Sequence, residues 1–351
     1  MSNYWSDMVK RTEPYVPGEQ LNRSDIIKLN TNENPYPPSP RVKEAILREM
    51  DGQLQKYPSP SATPLRSVIA SHFGVTEQEV FVGNGSDEVL AFSFMAFFHQ
   101  HRKIRFPEVT YSFYPVYAKL FAIPYETVPL NADFTLDVDA FFHSEGGVIL
   151  PNPNAPTSLY EDISSIEQIL QKNPETVVIV DEAYIDFGGT SAIELTSRYD
   201  NLLVVQTTSK SRSLAGMRVG YAIGNPVLID ALMRIKDSFN SYTVDRLAMV
   251  AATAAIDDDA YFKRTTEKIV QTRELAISAL QQVGFTVLPS KTNFVFATHA
   301  SVQAETLYKQ LKENNILVRH FNAPFIDNYL RISIGTDEQM EMLLTTLRKI
   351  L

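Results

Sequence analysis

The sequence predicts an α/β fold: a mostly parallel sheet flanked by helices, with a smaller α+β domain formed by the C-terminal part and an N-terminal arm. Three observations lead there. Between residues 80 and 223, short apolar runs alternate with helix-length amphipathic segments. The runs are continuously apolar, the pattern of parallel strands buried on both faces. After Pro226 the pattern changes to long helical periodicity and then to a mixture of short strands and helices.

Taken in order, residues 1–40 form an arm. Prolines at 14, 17, 35, 37, 38 and 40 prevent a long helix, and Asn30-Thr31-Asn32-Glu33-Asn34 is turn chemistry. A helix covers Pro40 to Met50, and a proline-bounded loop follows around Tyr57-Pro58. The predicted strands are Val80–Val82, Lys103–Phe106, Val148–Leu150, Val177–Val180, Leu202–Val205 and Val219–Ile223. Helical periodicity then runs through Ile229–Ile256 and Tyr261–Val283, the latter as a long connection. Phe285–Leu288, Asn293–Ala297, Leu317–Arg319 and Tyr329–Ile334 are predicted strands, and Val302–Asn314 and Asp337–Leu351 helices. The organisation that follows is an arm over 1–40, a large domain over 41–256 and a small domain over 257–351. With 351 residues, both domains can bury a core.

Composition narrows the partners. A formal net charge of −9 argues against nucleic acid or an anionic membrane as the main partner, and leaves anionic small molecules open. The chain has no cysteine, so it carries no disulfide, thiolate metal site or cysteine nucleophile, which fits a cytoplasmic protein. The first twenty residues show no apolar core or cleavage pattern of a signal peptide. The longest apolar stretch, Val89–Phe98, is too short to span a bilayer. The six histidines form no ligand pattern, and no metal is expected.

Ligands of open parallel sheets bind outside the carboxyl ends of the strands. There the chain places Gly83–Asp87, Pro107–Tyr111, Asn152–Asn154, Asp181 with Tyr184, and Ser209 with Lys210. Gly83–Asp87 is a glycine turn opening a helix, whose free N–H groups and dipole favour a phosphate. Arg218 supplies the countercharge, and Thr207 and Ser209 the hydroxyls. Asp181 closes a β-branched strand and needs a cationic partner. Lys210 sits in a polar loop between two apolar runs, where its amine can reach a bound carbonyl compound. A lysine to bond an aldehyde, an aspartate to hold a pyridinium and an arginine to hold a phosphate are the needs of a pyridoxal phosphate enzyme. Tyr111 is then placed to stack on the ring, and Asn154 and Tyr184 to hydrogen-bond its oxygen.

These residues carry a family resemblance. Asn154-x-Pro156, Asp181-Glu182-Ala183-Tyr184, Ser209-Lys210 and Ala215-Gly216-Met217-Arg218 resemble the fold-type-I pyridoxal phosphate aminotransferases. Glu13–Gly18, Asn32-Glu33-Asn34-Pro35, Lys56-Tyr57-Pro58, Gly83–Glu88 and Leu330-Arg331-Ile332-Ser333 resemble, more narrowly, the histidinol-phosphate branch of that family. The resemblance implies that Lys210 holds the cofactor covalently, and that Ser86, Asp87, Thr207, Ser209 and Arg218 surround its phosphate. It implies a homodimer in which Tyr57 reaches the phosphate of the neighbouring subunit. It also implies that Arg331, with Tyr15, Asn32 and Arg319, binds the substrate's anionic end: the phosphate of histidinol phosphate or a carboxylate of glutamate. The chain departs from the family where Ala155-Pro156-Thr157-Ser158 replaces the usual Asn-Pro-Thr-Gly, which puts that turn's geometry in question. Arg212 adds a positive charge two residues past the lysine.

The reaction so implied is transamination between L-histidinol phosphate and 2-oxoglutarate, giving imidazole acetol phosphate and L-glutamate. Three other readings use the same residues: an aromatic or broad-range aminotransferase, a decarboxylase acting on a phosphorylated amino acid such as threonine phosphate, and a nucleotide- or phosphate-binding module in which Lys210 and Arg218 only hold an anion.

Overall fold

The computed structural model describes residues 3–15, 19 and 25–351. Val16, Pro17 and Gly18 of the arm motif lie outside the described residues. Seven strands make the large sheet: β2 (Val80–Gly83), β3 (Ile104–Pro107), β4 (Tyr125–Val128), β5 (Val148–Pro151), β6 (Val178–Asp181), β7 (Leu202–Thr207) and β8 (Gly220–Gly224). Their order is β2-β8-β7-β6-β5-β3-β4, with β8 antiparallel to both neighbours and the other pairings parallel. The six predicted strands are all there, each within one or two residues of its expected bounds at most positions. β4 was not foreseen: Tyr125-Glu126-Thr127-Val128 is an edge strand with an exposed middle, so it lacks the unbroken apolar signature of a central one.

Helices cover both faces. α2 (Pro40–Met50), α3 (Thr63–Phe73), α6 (Ile163–Lys172) and α8 (Arg246–Asp257) enclose one core with Val82, Leu150, Val180 and Val204. α4 (Gly85–Phe97), α5 (Phe113–Leu120) and α7 (Pro226–Phe239) enclose the other with Phe81, Ile149, Ile179 and Val205. Alternate residues of β5, β6 and β7 thus serve opposite cores, which is why these strands are apolar throughout. The expected helix Ile229–Ile256 is two helices. Asn240-Ser241-Tyr242 break it, and Asp245 caps the second by accepting the N–H of Ala248 at 2.9 Å.

α9 (Asp259–Gln282) runs 24 residues to the second sheet, β12-β13-β10-β9, all antiparallel. Its strands are β9 (Phe285–Val287), β10 (Phe294–His299), β12 (Arg319–His320) and β13 (Leu330–Ser333), with α10 (Ala304–Glu313) and α11 (Asp337–Ile350) packed against it. The predicted strand Leu317–Arg319 is divided between β11 (Ile316–Leu317) and β12. The arm is not wholly extended: it holds a short helix α1 (Asp7–Arg11) and a strand β1 (Ile27–Lys28) that pairs in parallel with β11. Leu29 continues that path, donating to Leu317 O at 2.8 Å and accepting from Ser333 N at 3.0 Å. Residues 30–34 therefore lie between the carboxyl edge of the large sheet and β13.

Candidate active site

A cavity of about 430 Å³ opens at the carboxyl edge of the large sheet. It is lined by Tyr15, Asn32, Ser86, Asp87, Tyr111, Asp181, Tyr184, Thr207, Ser209, Lys210, Arg218, Arg319 and Arg331, residues scattered over more than 300 positions of sequence. A second cavity, of about 570 Å³, shares Tyr15, Tyr111, Tyr184, Arg319 and Arg331 with it and extends along α5. Two candidates are not brought into the first. Tyr57 is 78% exposed, stacked on Tyr242 with ring centroids 4.6 Å apart, and does not line its own chain's cavity. Asn154 is buried just behind the wall formed by Pro153 and Ala155. Its Nδ2 donates to Val109 O and Thr157 Oγ1, both at 3.0 Å, while its Oδ1 is buried without a partner.

β6 delivers Asp181 to the cavity floor. One carboxylate oxygen accepts the hydroxyl of Tyr114 at 2.9 Å, and the other, Oδ1, is buried with no hydrogen-bond partner. Burial pushes the Asp181 carboxyl up from 3.8 to about 7. A carboxylate with one idle oxygen and no cation is what a protonated ring nitrogen would complete. Tyr114, fully buried on α5, carries no signal in the sequence: nothing there separates it from the chain's other tyrosines.

Lys210 follows β7. Its Nζ lies 3.4 Å from Thr31 O and 5.8 Å from the centre of the Tyr184 ring, and no carboxylate pairs with it among the described residues. Its backbone is held instead: Asn34 Nδ2 donates to Lys210 O at 2.9 Å, and the Ser211 hydroxyl donates to Asp186. Arg212, next along, turns away from the cavity. It stacks on Phe262 at 3.6 Å and donates to Ala255 O at 2.8 Å, near the C-terminal end of α8, where the last carbonyls lack partners.

The N-terminus of α4 is the part of the cavity that could hold a phosphate. Gly85, at φ +80°, leaves room for the guanidinium of Arg218: a Cβ there would stand 2.7 Å from Arg218 Nη2. Gly220 lets β8 approach the turn so closely that a Cβ would stand 2.2 Å from Ser86 N. The Asp87 carboxylate is already engaged, by Arg218 Nη2 at 3.0 Å and by the hydroxyl of Tyr111 at 2.8 Å. It orients those two groups. A phosphate, which the carboxylate repels, draws on Arg218, the nearby hydroxyls and the helix N-terminus.

At the other end, Arg319 and Arg331 stand directly opposite each other on β12 and β13. Like charges in that position oppose sheet pairing, and neither forms an ion pair among the described residues. Arg331 donates to Asn30 O at 3.0 Å, its Nε is buried without a partner, and burial first, then the charge of Arg319, lowers its pKa. An anion between the two would relieve both. Ser158, where the family has glycine, keeps the glycine's backbone: φ is +69°, and its hydroxyl lies 3.0 Å from Pro289 O. Among the described residues no cluster of His, Asp or Glu is placed to hold a metal, and no helix is long and apolar enough to cross a membrane.

A large sheet with this carboxyl-edge lysine and lone buried aspartate, joined by one long helix to a small arginine-bearing sheet, is the architecture of fold-type-I pyridoxal phosphate enzymes. The sequence profile of the aminotransferase class I and II family matches residues 24–347, and the chain belongs to that family. It is 56% identical over 344 residues to histidinol-phosphate aminotransferase 1 of Oceanobacillus iheyensis, covering 98% of this chain and 97% of the relative. It is 55% identical to the histidinol-phosphate aminotransferase of Clostridium acetobutylicum, covering 97% of each. Among solved structures, histidinol-phosphate aminotransferase from Sinorhizobium meliloti in complex with pyridoxal-5'-phosphate shares the fold. The TM-score is 0.89 at 23% identity, covering 100% of this chain and 99% of that one.

Proposed function

We propose that this chain is a pyridoxal phosphate-dependent aminotransferase of histidine biosynthesis. It exchanges the amino group of L-histidinol phosphate with 2-oxoglutarate, giving imidazole acetol phosphate and L-glutamate. The observation that carries the reading is the pair Arg319 and Arg331, in register across two strands and without a carboxylate partner among the described residues, at the cavity that holds Lys210. An enzyme whose two amino donors are a phosphate monoester and a dicarboxylate needs one anion grip that serves both. The names of the relatives support the same choice of donor.

Pyridoxal phosphate, when bound, supplies an aldehyde that takes up the amino group and a ring that accepts electrons from the broken C–H bond. Lys210 Nζ is the base that removes the proton from the amine-bearing carbon and returns it on the other side of the exchange. Asp181, with Oδ1 free of partners, would keep the ring nitrogen protonated, and that cation would favour its own ionisation. Arg218, Ser86, Thr207 and Ser209 would hold the cofactor phosphate, Tyr111 would pack against its ring, and the Tyr184 hydroxyl would serve its ring oxygen. Arg319, Arg331 and Tyr15 orient the substrate's anion.

The reading includes a cytoplasmic homodimer. Tyr57 supports the dimer: it is exposed, off its own cavity, and braced by Tyr242 and by Arg246, which donates to Tyr57 O at 2.8 Å. It is the group offered to the partner's phosphate.

The test is a steady-state comparison of histidinol phosphate, phenylalanine and tyrosine as donors to 2-oxoglutarate. Ping-pong kinetics with at least a tenfold preference in kcat/KM for histidinol phosphate, about 1.4 kcal/mol in the transition state, are expected. A smaller preference would make the enzyme a broad-range aminotransferase, and carbon dioxide release without a keto acid would make it a decarboxylase.

A further inference from the structure

Asn32 is buried, 1% exposed, in the left-handed region at φ +55°, and every polar group it has is engaged. Its backbone N–H donates to Ser333 Oγ at 2.9 Å, and its carbonyl accepts Asn293 Nδ2 at 3.0 Å. Its Oδ1 accepts the Ser333 hydroxyl at 2.9 Å, and its Nδ2 donates to the phenol oxygen of Tyr184 at 3.0 Å. Ser333 and Asn293 belong to the small sheet and its approach, Tyr184 to the loop after β6. One side chain therefore ties the anion-binding strand to the tyrosine beside Lys210.

The protons decide which way the amide faces. Ser333 has one hydroxyl proton; having accepted the backbone N–H of Asn32, it gives that proton to Oδ1, which leaves the NH2 end toward Tyr184. A phenol oxygen that accepts an N–H must aim its own proton elsewhere. Among the described residues no acceptor takes it, and Tyr184 lines the cavity with Lys210 and Asp181.

We infer that Asn32 is a positioning residue acting through Tyr184: its amide aims the tyrosine's hydroxyl proton into the cavity, at the ring oxygen of the bound cofactor. The inference rests on the pyridoxal phosphate reading. It also gives Asn32 a task beside the substrate contact expected of it: one N–H of its amide serves Tyr184, and the residue lines the same cavity.

The test is a pH titration of the bound cofactor's absorbance in the holoenzyme for wild type, Asn32→Asp, Tyr184→Phe and the double variant. Aspartate tolerates the same backbone but offers only acceptors, so it draws the Tyr184 proton out of the cavity. A hydroxyl donated to the ring oxygen favours the cofactor form that has lost its proton. Tyr184→Phe is therefore expected to move the midpoint upward by about one pH unit, the effect of one charge-assisted hydrogen bond. Asn32→Asp moves it the same way by a comparable amount, and the double variant moves it no further than Tyr184→Phe. Ser333→Ala, which loosens Asn32 without adding charge, gives a smaller upward move and serves if the aspartate variant does not fold. The inference is overturned if Asn32→Asp and Ser333→Ala leave the midpoint unmoved while Tyr184→Phe shifts it. It is equally overturned if Asn32→Asp acts as strongly without the Tyr184 hydroxyl as with it. Failure of the cofactor reading looks different, and sinks both: the wild-type protein then shows no cofactor absorbance that borohydride abolishes.

Discussion

Asp181→Asn should make the cofactor-free protein more stable while destroying its activity, and the gain should depend on pH in a defined way. The carboxyl sits at 3.8 in an unfolded chain and is pushed by burial to about 7 in the fold. Between those values the folded protein holds a proton that the unfolded chain has released, so stability falls as pH rises. The loss runs at about 1.4 kcal/mol per pH unit from pH ~4 to ~7 and levels off above, near 4 kcal/mol. Asparagine, which never ionises, escapes it. Urea unfolding of both cofactor-free proteins at pH 5, 6, 7 and 8.5 reads the difference directly, since the background slope cancels. That background includes Glu182, also buried and raised to about 7, which is present in both proteins. The variant's advantage should grow by about 2–3 kcal/mol across the series. With saturating cofactor the order should reverse, because the ring nitrogen stabilises the ionised wild-type carboxylate, and kcat should drop by about 10²–10³-fold or more in the variant. A stability difference that stays flat from pH 5 to 8.5 would refute the argument that Asp181 is an unpaired acid awaiting a cation.

Three further outcomes follow from the geometry. Arg331→Ala should lower kcat/KM for the phosphorylated amine by about 10²-fold, the worth of a charge-assisted contact of ~3 kcal/mol; a change below tenfold in steady-state assays would remove Arg331 from the anion grip. Gly220→Ala drives a Cβ to within 2.2 Å of Ser86 N and should weaken cofactor binding by roughly tenfold or more, at the ~1–3 kcal/mol typical of overpacking. Equilibrium titration with pyridoxal phosphate checks it, and unaltered affinity would show that the phosphate turn lies elsewhere. Lys236, 2% exposed, donates to Pro60 O at 2.8 Å and Ser241 O at 3.0 Å, pinning the loops that carry Tyr57 and Tyr242. Lys236→Met strands both carbonyls and should cost about 2–4 kcal/mol in urea unfolding; a loss below about 1 kcal/mol would show that these loops hold without it.

Much of the site was legible because its chemistry sits at strand ends. Asp181, Lys210 and the 83–87 turn each follow an unbroken apolar run, so a parallel sheet puts them on one edge. β4 escaped because an edge strand exposed in its middle has no such run. The helix over 229–256 was read as one because periodicity continues across a break that Asp245 and the polar residues before it impose. Tyr114 and the contact of Asn34 with Lys210 leave no signal in the sequence for another reason: a tyrosine in an aromatic-rich helix and an asparagine in a turn look like ordinary packing and capping.

What the residues determined alone is therefore the kind of chemistry: an amine, an acid and an arginine at the ends of buried strands, in an order that only one type of sheet brings together. Tertiary structure decided which partners those groups have. That Asp181 keeps one oxygen idle, that Asp87 is spent on Arg218 131 residues away and on Tyr111, that Asn32 meets Ser333 across 301 residues and that Arg319 faces Arg331 in register are outcomes of packing. Periodicity reports which face of an element is buried; it carries no record of what that face meets.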